Sequence, residues 1–265
     1  MKKLVAGVLL LVIGAAAGSA YVSASSSPTV EAQLHVEDGS VAVNGTVATG
    51  TLKLSQTDVV KTAQGHATIV LHESVLVLLE PDTEVSVADL LLAHPQLTQL
   101  SGRTWNTFTK LSGVMSYSIK QGTTVATVRG TKFEFSNGLI FVTEGTVEYT
   151  VNGQLFIVTA GRAVENGVER PITPAEVARA AAYRQRTVQE LRHLRQLELE
   201  KHPFLLSLAR QTYFRDDEAR MARAFEEADN GRIDVDAQVA KAPARPASLL
   251  KIAAITKTIQ AILRE

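Results

Sequence analysis

The stretch "VATVRGTKFEFSNGLIFVTEGTVEYTVNG" (Val125–Gly153) alternates apolar and polar residues along almost its whole length, with one Arg-Gly-Thr break near its start. Period-two alternation of this kind is the signature of half-buried β-strands. Ala126 and Val128 fall on one face, and Thr127 and Arg129 on the other. Phe133 and Phe135 point together, opposite Lys132 and Glu134, and beyond Asn137-Gly138 the apolar set continues through Leu139–Val142 to Val147, Tyr149 and Val151. Gly130 and Gly145 each interrupt a strand pattern, where glycine marks a bulge or a close backbone approach. An anion-binding loop would open directly onto a helix so that amides converge on the anion. Here Thr131 leads into "KFEF", another strand, so the break reads as a sheet corner, with Glu134, Glu144 or backbone carbonyls at the corner able to satisfy Arg129.

Working outward, "AQLHVEDGSVAVNGTVATGTLKLSQTDVVKT" repeats the β pattern, and the unbroken run Val75–Leu79 suits a strand covered on both faces. Asn44-Gly45, Asn137-Gly138, Asn152-Gly153 and Asn166-Gly167 are candidate tight turns. Many short strands with frequent turn signals predict an antiparallel sandwich, roll or solenoid rather than a parallel α/β sheet. Residues 88–113 stay open. Trp105, Phe108 and Leu111 recur every three residues, which favours a helical turn, while a strand accommodates the same residues.

The character changes at "RPITPAEVARAAAYRQRTVQELRHLRQLELEKHP". Thr173, Pro174 and Glu176 form a capping box with proline at the first helical position. A long Ala/Leu/Arg helix follows, ending before Pro203. Further helices are expected at 203–214, at 216–229 with Gly231 as the stop, and in "LLKIAAITKTIQAILRE" after a Pro/Ala linker. Ile252, Ile255, Ile259 and Ile262 on that last helix form a narrow apolar seam with 3-4-3 spacing. It serves either docking against the preceding helices, the stronger reading, or assembly of a homo-oligomer. The arginines of the long helix read as a solvated face.

At the other end, Met1-Lys2-Lys3 precede the uncharged run "LVAGVLLLVIGAAAGSAYV" (Leu4–Val22) and the "SASSSP" linker. This is an export signal, either cleaved near Gly18-Ser19-Ala20 or Val22-Ser23-Ala24, or retained as a membrane anchor through residues 4–22. The expected organisation is a signal or anchor with linker at 1–27, a β domain at 30–168 and a helical region at 172–265, in an extracytoplasmic protein, membrane-anchored or secreted.

Composition closes several function classes. The 265 residues carry zero formal net charge and a single tryptophan, which argues against nucleic-acid binding. With no cysteine there is no disulfide framework, no thiolate nucleophile and no lipoprotein anchor. His35, His66, His72, His94, His193 and His202 lack zinc-protease spacing. No serine-nucleophile elbow appears. Glu80, Asp82 and Glu84 describe a solvated loop better than a catalytic carboxylate pair. "EEADNGRIDVDAQ" lacks the bidentate acid of a calcium loop. No catalytic residue, metal ligand or cofactor site is expected.

The quoted stretch also carries a family resemblance. "VATVRGTKFEF", "FVTEGTVEYTVNG" and "FIVTAGRAV" resemble the core of the FecR-like domain, through Val128, Arg129, Gly130, Thr131, Phe133, Glu144, Gly145, Val147 and Gly161. The resemblance covers roughly Leu34–Val164. It implies an extracytoplasmic, all-β, non-enzymatic module of membrane signalling, which recognises an envelope protein or polymer. The best-known members relay transporter occupancy to a sigma factor. That relay is not carried over, because with Leu4–Val22 as an anchor only Met1–Lys3 would stay cytoplasmic. The remaining readings are an envelope carbohydrate-binding protein, which needs Trp105 and several tyrosines gathered in a cleft, and a structural envelope protein, marked by high abundance and an ordered lattice.

Overall fold

A computed structural model describes residues 32–109, 111–203, 206–207, 210–211, 215–240 and 247–264. The signal or anchor expected at 1–27 and most of the helix expected at 203–214 lie outside these residues. Among the described residues no helix is long and apolar enough to cross a membrane. The chain clusters into two compact units, Thr29–Thr187 and the region from Val188 onward.

The first unit contains the strands β1 (Ala32–Asp38), β2 (Val41–Val43), β3 (Thr46–Ala48), β4 (Thr51–Lys53), β5 (Val59–Thr62) and β6 (His66–Leu71). They continue as β7 (Val75–Leu79), β8 (Glu84–Asp89), β9 (Gln96–Ser101), β10 (Arg103–Phe108), β11 (Tyr117–Gln121) and β12 (Thr124–Val128). The last six are β13 (Lys132–Ser136), β14 (Leu139–Glu144), β15 (Thr146–Val151), β16 (Gln154–Thr159), β17 (Arg162–Glu165) and β18 (Val168–Pro171). They form two nine-stranded sheets. One has the order β18-β17-β14-β13-β10-β7-β6-β1-β4 and the other β16-β15-β12-β11-β9-β8-β5-β2-β3.

Between the sheets lies one apolar core. Ile69, Val77, Phe133, Phe135 and Ile140 from the first sheet meet Val85, Leu97, Ile119, Tyr149 and Val158 from the second. The second sheet keeps the alternating burial of a one-sided sheet, as in β8 and β15. The central strands of the first sheet are buried on both faces: every residue of β7, and every residue of β10 after Arg103. The apolar run Val75–Leu79 therefore sits where its composition demands. Residues 103–108 form a strand, and the helical-turn reading of the Trp105/Phe108 spacing is overturned. In a strand covered on both faces no side is reserved for solvent, and here Thr104, Asn106 and Thr107 are buried along with Trp105 and Phe108, so the polar residues do not mark a period of two.

Connectivity explains how the sheets are held. Crossings β1→β2, β5→β6, β7→β8 and β9→β10 lie along one rim, while β12→β13, β14→β15 and β16→β17 lie along the opposite rim. Strand β10 carries the chain from rim to rim. Beside it, β9 and β11 form the single parallel pair among the described residues. A buried polar chain marks this point inside the core. Gln99 accepts from the Thr104 hydroxyl at 2.8 Å, Asn106 donates to Thr104 at 3.0 Å, and the Tyr117 hydroxyl donates to Asn106 at 2.9 Å. Of the four Asn-Gly turns, three place both residues at positive φ, the mirror-image geometry that matches strand twist. At Asn137-Gly138 only the glycine does so.

Helix α1 (Pro174–Glu200) follows the strands, and its start has the expected capping box. The Thr173 amide donates to Glu176 at 2.6 Å, and the Glu176 amide donates to the Thr173 hydroxyl at 3.3 Å. Its turns up to Thr187 cluster with the sheets. The second unit contains the rest of α1, α2 (Glu218–Asp229), α3 (Val235–Ala240) and α4 (Ala247–Arg264). Asp217 caps α2 by accepting from the Arg220 amide, and Gly231 adopts φ +69° just past its end.

Candidate functional site

The Arg-Gly-Thr break joins β12 of one sheet to β13 of the other, so it is a corner. Gly130 has φ +114° there. The next crossing on the same rim, at Gly145 (φ +80°), packs directly against it. A Cβ on Gly145 would lie 2.5 Å from the Gly130 carbonyl oxygen and 2.7 Å from Thr131 Cγ2. The third crossing closes the row, because the Ala160 amide donates to Gly145 at 3.1 Å and the Gly161 amide to Val142 at 2.9 Å. Val128, Phe133 and Val147 anchor the corner in the core. The motif residues, separated in sequence, thus meet on one rim, where they bind sheet to sheet. Arg129 is exposed and makes no ion pair among the described residues. Of the partners expected for it, the two carboxylates are engaged elsewhere: Glu144 pairs with Lys132 at 2.6 Å, and Glu134 is held on another face.

That face was not legible from sequence. Glu134 is fully buried on the outer side of the first sheet. Arg179 of α1 donates to it through two nitrogens, at 3.0 and 3.1 Å, and Arg103 stands 3.9 Å away. The same Arg179 guanidinium lies 5.5 Å over the Phe141 ring, and Trp105 stacks on Tyr183 at 5.0 Å between centroids. Further along the helix, Arg186 donates to Glu37 at 2.9 Å and also pairs with Glu80. Hydrogen bonding by Glu134 raises the Arg179 pKa. Burial works against the Arg186 charge, but Glu37 and Glu80 outweigh it, and its pKa also rises. Burial pushes the Tyr183 hydroxyl up. Arg170 holds Glu176 down at about 2, helped by the Thr173 amide. These arginines therefore do not form a solvated face. Arg179 and Arg186 pin the helix to the buried Glu134 and the half-buried Glu37 and Glu80, which lie far away in sequence.

The carboxylates at 80–84 diverge. Glu80 faces Arg186, Glu84 pairs with Lys61 at 3.1 Å, and Asp82 occupies a turn at φ +57°. Trp105 is 2% exposed, and Tyr117, Tyr149 and Tyr183 are buried as well, so no aromatic platform of these residues faces a ligand.

In the second unit, Asp229 is buried and accepts from Arg192 at 2.9 Å and from Arg195 at 2.5 Å, while Arg195 lies 4.5 Å over Phe225. The "EEADNG" stretch is thus a helix end tied down by ion pairs. The seam residues Ile252, Ile255, Ile259 and Ile262 are all at most 2% exposed. Ile252 packs with Leu199, Val235 and Leu249. The seam is buried within the helical unit, which is where docking against the preceding helices, the stronger of the two readings given for its spacing, would put it.

These features define a two-sheet β domain whose motif residues build a rim. Residues 57–148 match the model of the FecR protein family, and this part of the chain is a FecR domain. None of the curated proteins matches the chain. Two crystal structures of a proposed anti-sigma factor from Parabacteroides distasonis align at 13% identity and a TM-score of 0.38, over 44% of this chain and 61% of theirs. The alignment spans about three fifths of those chains, and a likeness this remote carries no functional argument.

Proposed function

We propose that this chain is an exported, non-enzymatic FecR-type sensor or interaction module of the cell envelope, held by its N-terminal run or released after cleavage. In this reading residues 1–27 target or anchor the protein. Residues 30–168 recognise an envelope protein or polymer, and residues 172–265 connect that event to a partner in signalling. The observation that carries the reading is the FecR domain at 57–148, whose motif residues form a structural rim rather than a reactive centre. Fold-level kinship gives a class of function, not a ligand.

The test combines topology with capture. Protease added to intact spheroplasts should digest the β domain of the full chain, and photo-cross-linking in cells should join the domain to one envelope component in stoichiometric amount. Protection of the domain from external protease would end the export reading. Turnover of a substrate by the purified chain, abolished by substituting a single residue, would end the non-enzymatic one.

A further inference from the structure

Among the described residues the two sheets end in four edge strands, and unpaired edges template association unless they are blunted. Three are blunted. Strands β3 and β4 have three residues each, and β4 ends in Lys53. Strand β18 reads Val-Glu-Arg-Pro, with two charges and a proline. The fourth, β16, reads Gln-Leu-Phe-Ile-Val-Thr, six residues without charge, proline or glycine. It pairs with β15 in unbroken register, so no bulge twists it away. Its outward side chains Leu155 and Ile157 are 59% and 56% exposed, among the most exposed large apolar residues of the domain.

We propose that β16 pairs antiparallel with β16 of a second copy of this chain, centred on Phe156, so that two second sheets join into one across a two-fold axis. The strand itself selects this occupant. About Phe156 it is self-complementary: Leu155 comes opposite Ile157 of the other copy and Ile157 opposite its Leu155, two apolar cross-strand pairs on the face that is otherwise exposed. The strand offers no charge with which to choose a different partner, and self-pairing sets no like charges against each other. The nearest charge on that face, Glu148, is cross-strand from Ile157 on β15, one strand in from the edge. Zero formal net charge on the whole chain removes the long-range repulsion that keeps copies apart. The pairing is independent of what the domain recognises.

Because the chain has no cysteine, its register can be read directly. Leu155→Cys and Ile157→Cys chains, full length and differently tagged, are co-expressed and oxidised. Residues directly opposite in an antiparallel pair lie within disulfide reach, at roughly 4.5–5.5 Å between Cα atoms. A mixed disulfide dimer should form, and neither variant alone should cross-link. In sedimentation velocity in mild detergent, the wild-type chain should be a dimer. Ile157→Lys and, separately, Leu155→Lys should be monomers with unchanged circular dichroism. A wild-type monomer across the micromolar range overturns the proposal, as does a dimer that survives both lysines. Cross-linking of the Ile157→Cys chain to an extended segment of a different protein in place of the second copy overturns it too. If one lysine variant fails to fold, the other and the cysteine pair still decide.

Discussion

Substituting alanine for Gly145 and, separately, for Gly153 isolates what the rim contact contributes. The two glycines have nearly the same backbone, φ +80° and +76°, so an added Cβ meets the same left-handed strain at each, about 1–2 kcal/mol. They differ in surroundings. Around Gly153 a Cβ meets nothing within 4 Å, whereas at Gly145 it would lie 2.5 Å from the Gly130 carbonyl oxygen and 3.2 Å from Thr131 Cα. Those obstacles are backbone atoms of the neighbouring crossing, so relief requires the corner to open and the sheets to shift. Overpacking of a close-packed site destabilises by about 1–3 kcal/mol. Gly153→Ala should therefore lose about 1–2 kcal/mol, and Gly145→Ala about 2–5 kcal/mol. The difference corresponds to about 2–12 °C in midpoint for a domain of this size. Urea unfolding followed by fluorescence suits the measurement, because the single tryptophan, Trp105, is buried in this unit against Tyr183. Equal losses for the two variants, within about 0.5 kcal/mol, would refute the argument that the motif glycines exist to let two crossings touch.

Arg179→Leu should destabilise the β unit by about 2–4 kcal/mol, below the full value for a broken buried pair because Arg103 remains near Glu134. The Glu134→Leu/Arg179→Leu double variant should recover most of that loss in a thermal melt, and a purely additive double variant would contradict a buried ion pair. Glu176 is ionised in the folded state down to about pH 2, against an ordinary value of 4.5. Its contribution is complete above the ordinary value and fades as pH falls from there toward 2. The melting difference between wild type and Glu176→Gln should shrink over that window, and a pH-independent difference would exclude the Arg170 contact as its origin. Asp229→Ala should cost the helical unit about 3–5 kcal/mol by leaving Arg195 buried without its carboxylate. Limited proteolysis of the chain beyond Val188 would register it, and unchanged digestion would contradict that estimate.

What the sequence disclosed follows from which signals are local. The Asn-Gly turns, the capping box at Thr173 and Glu176, the run Val75–Leu79 and the corner at Gly130 all express themselves within a few residues. Trp105 and Phe108 left turn and strand both open because β10 lies under cover on both faces, which erases the alternation that would identify a strand. The ion pairs were out of reach for a different reason. Arg179 and Glu134 stand 45 positions apart, and Arg186 and Glu37 stand 149 apart, so nothing local links them. The isoleucine seam was visible as a seam, but not the surface that covers it, since Leu199 and Val235 come from two other helices.

The strand order bears on how far the family's sequence boundary can be equated with an autonomous folding unit. The FecR match begins at residue 57 and stops at residue 148, inside β15. Cut at those limits, the first sheet would lose β1 and β4 beyond β6, and β17 and β18 beyond β14. Two apolar strands, His66–Leu71 and Leu139–Glu144, would then become raw flanks with their hydrogen-bonding groups open to water. The matched segment is therefore the middle of a larger object, and the outer strands act as its selvedge, the woven border that stops the cloth from fraying.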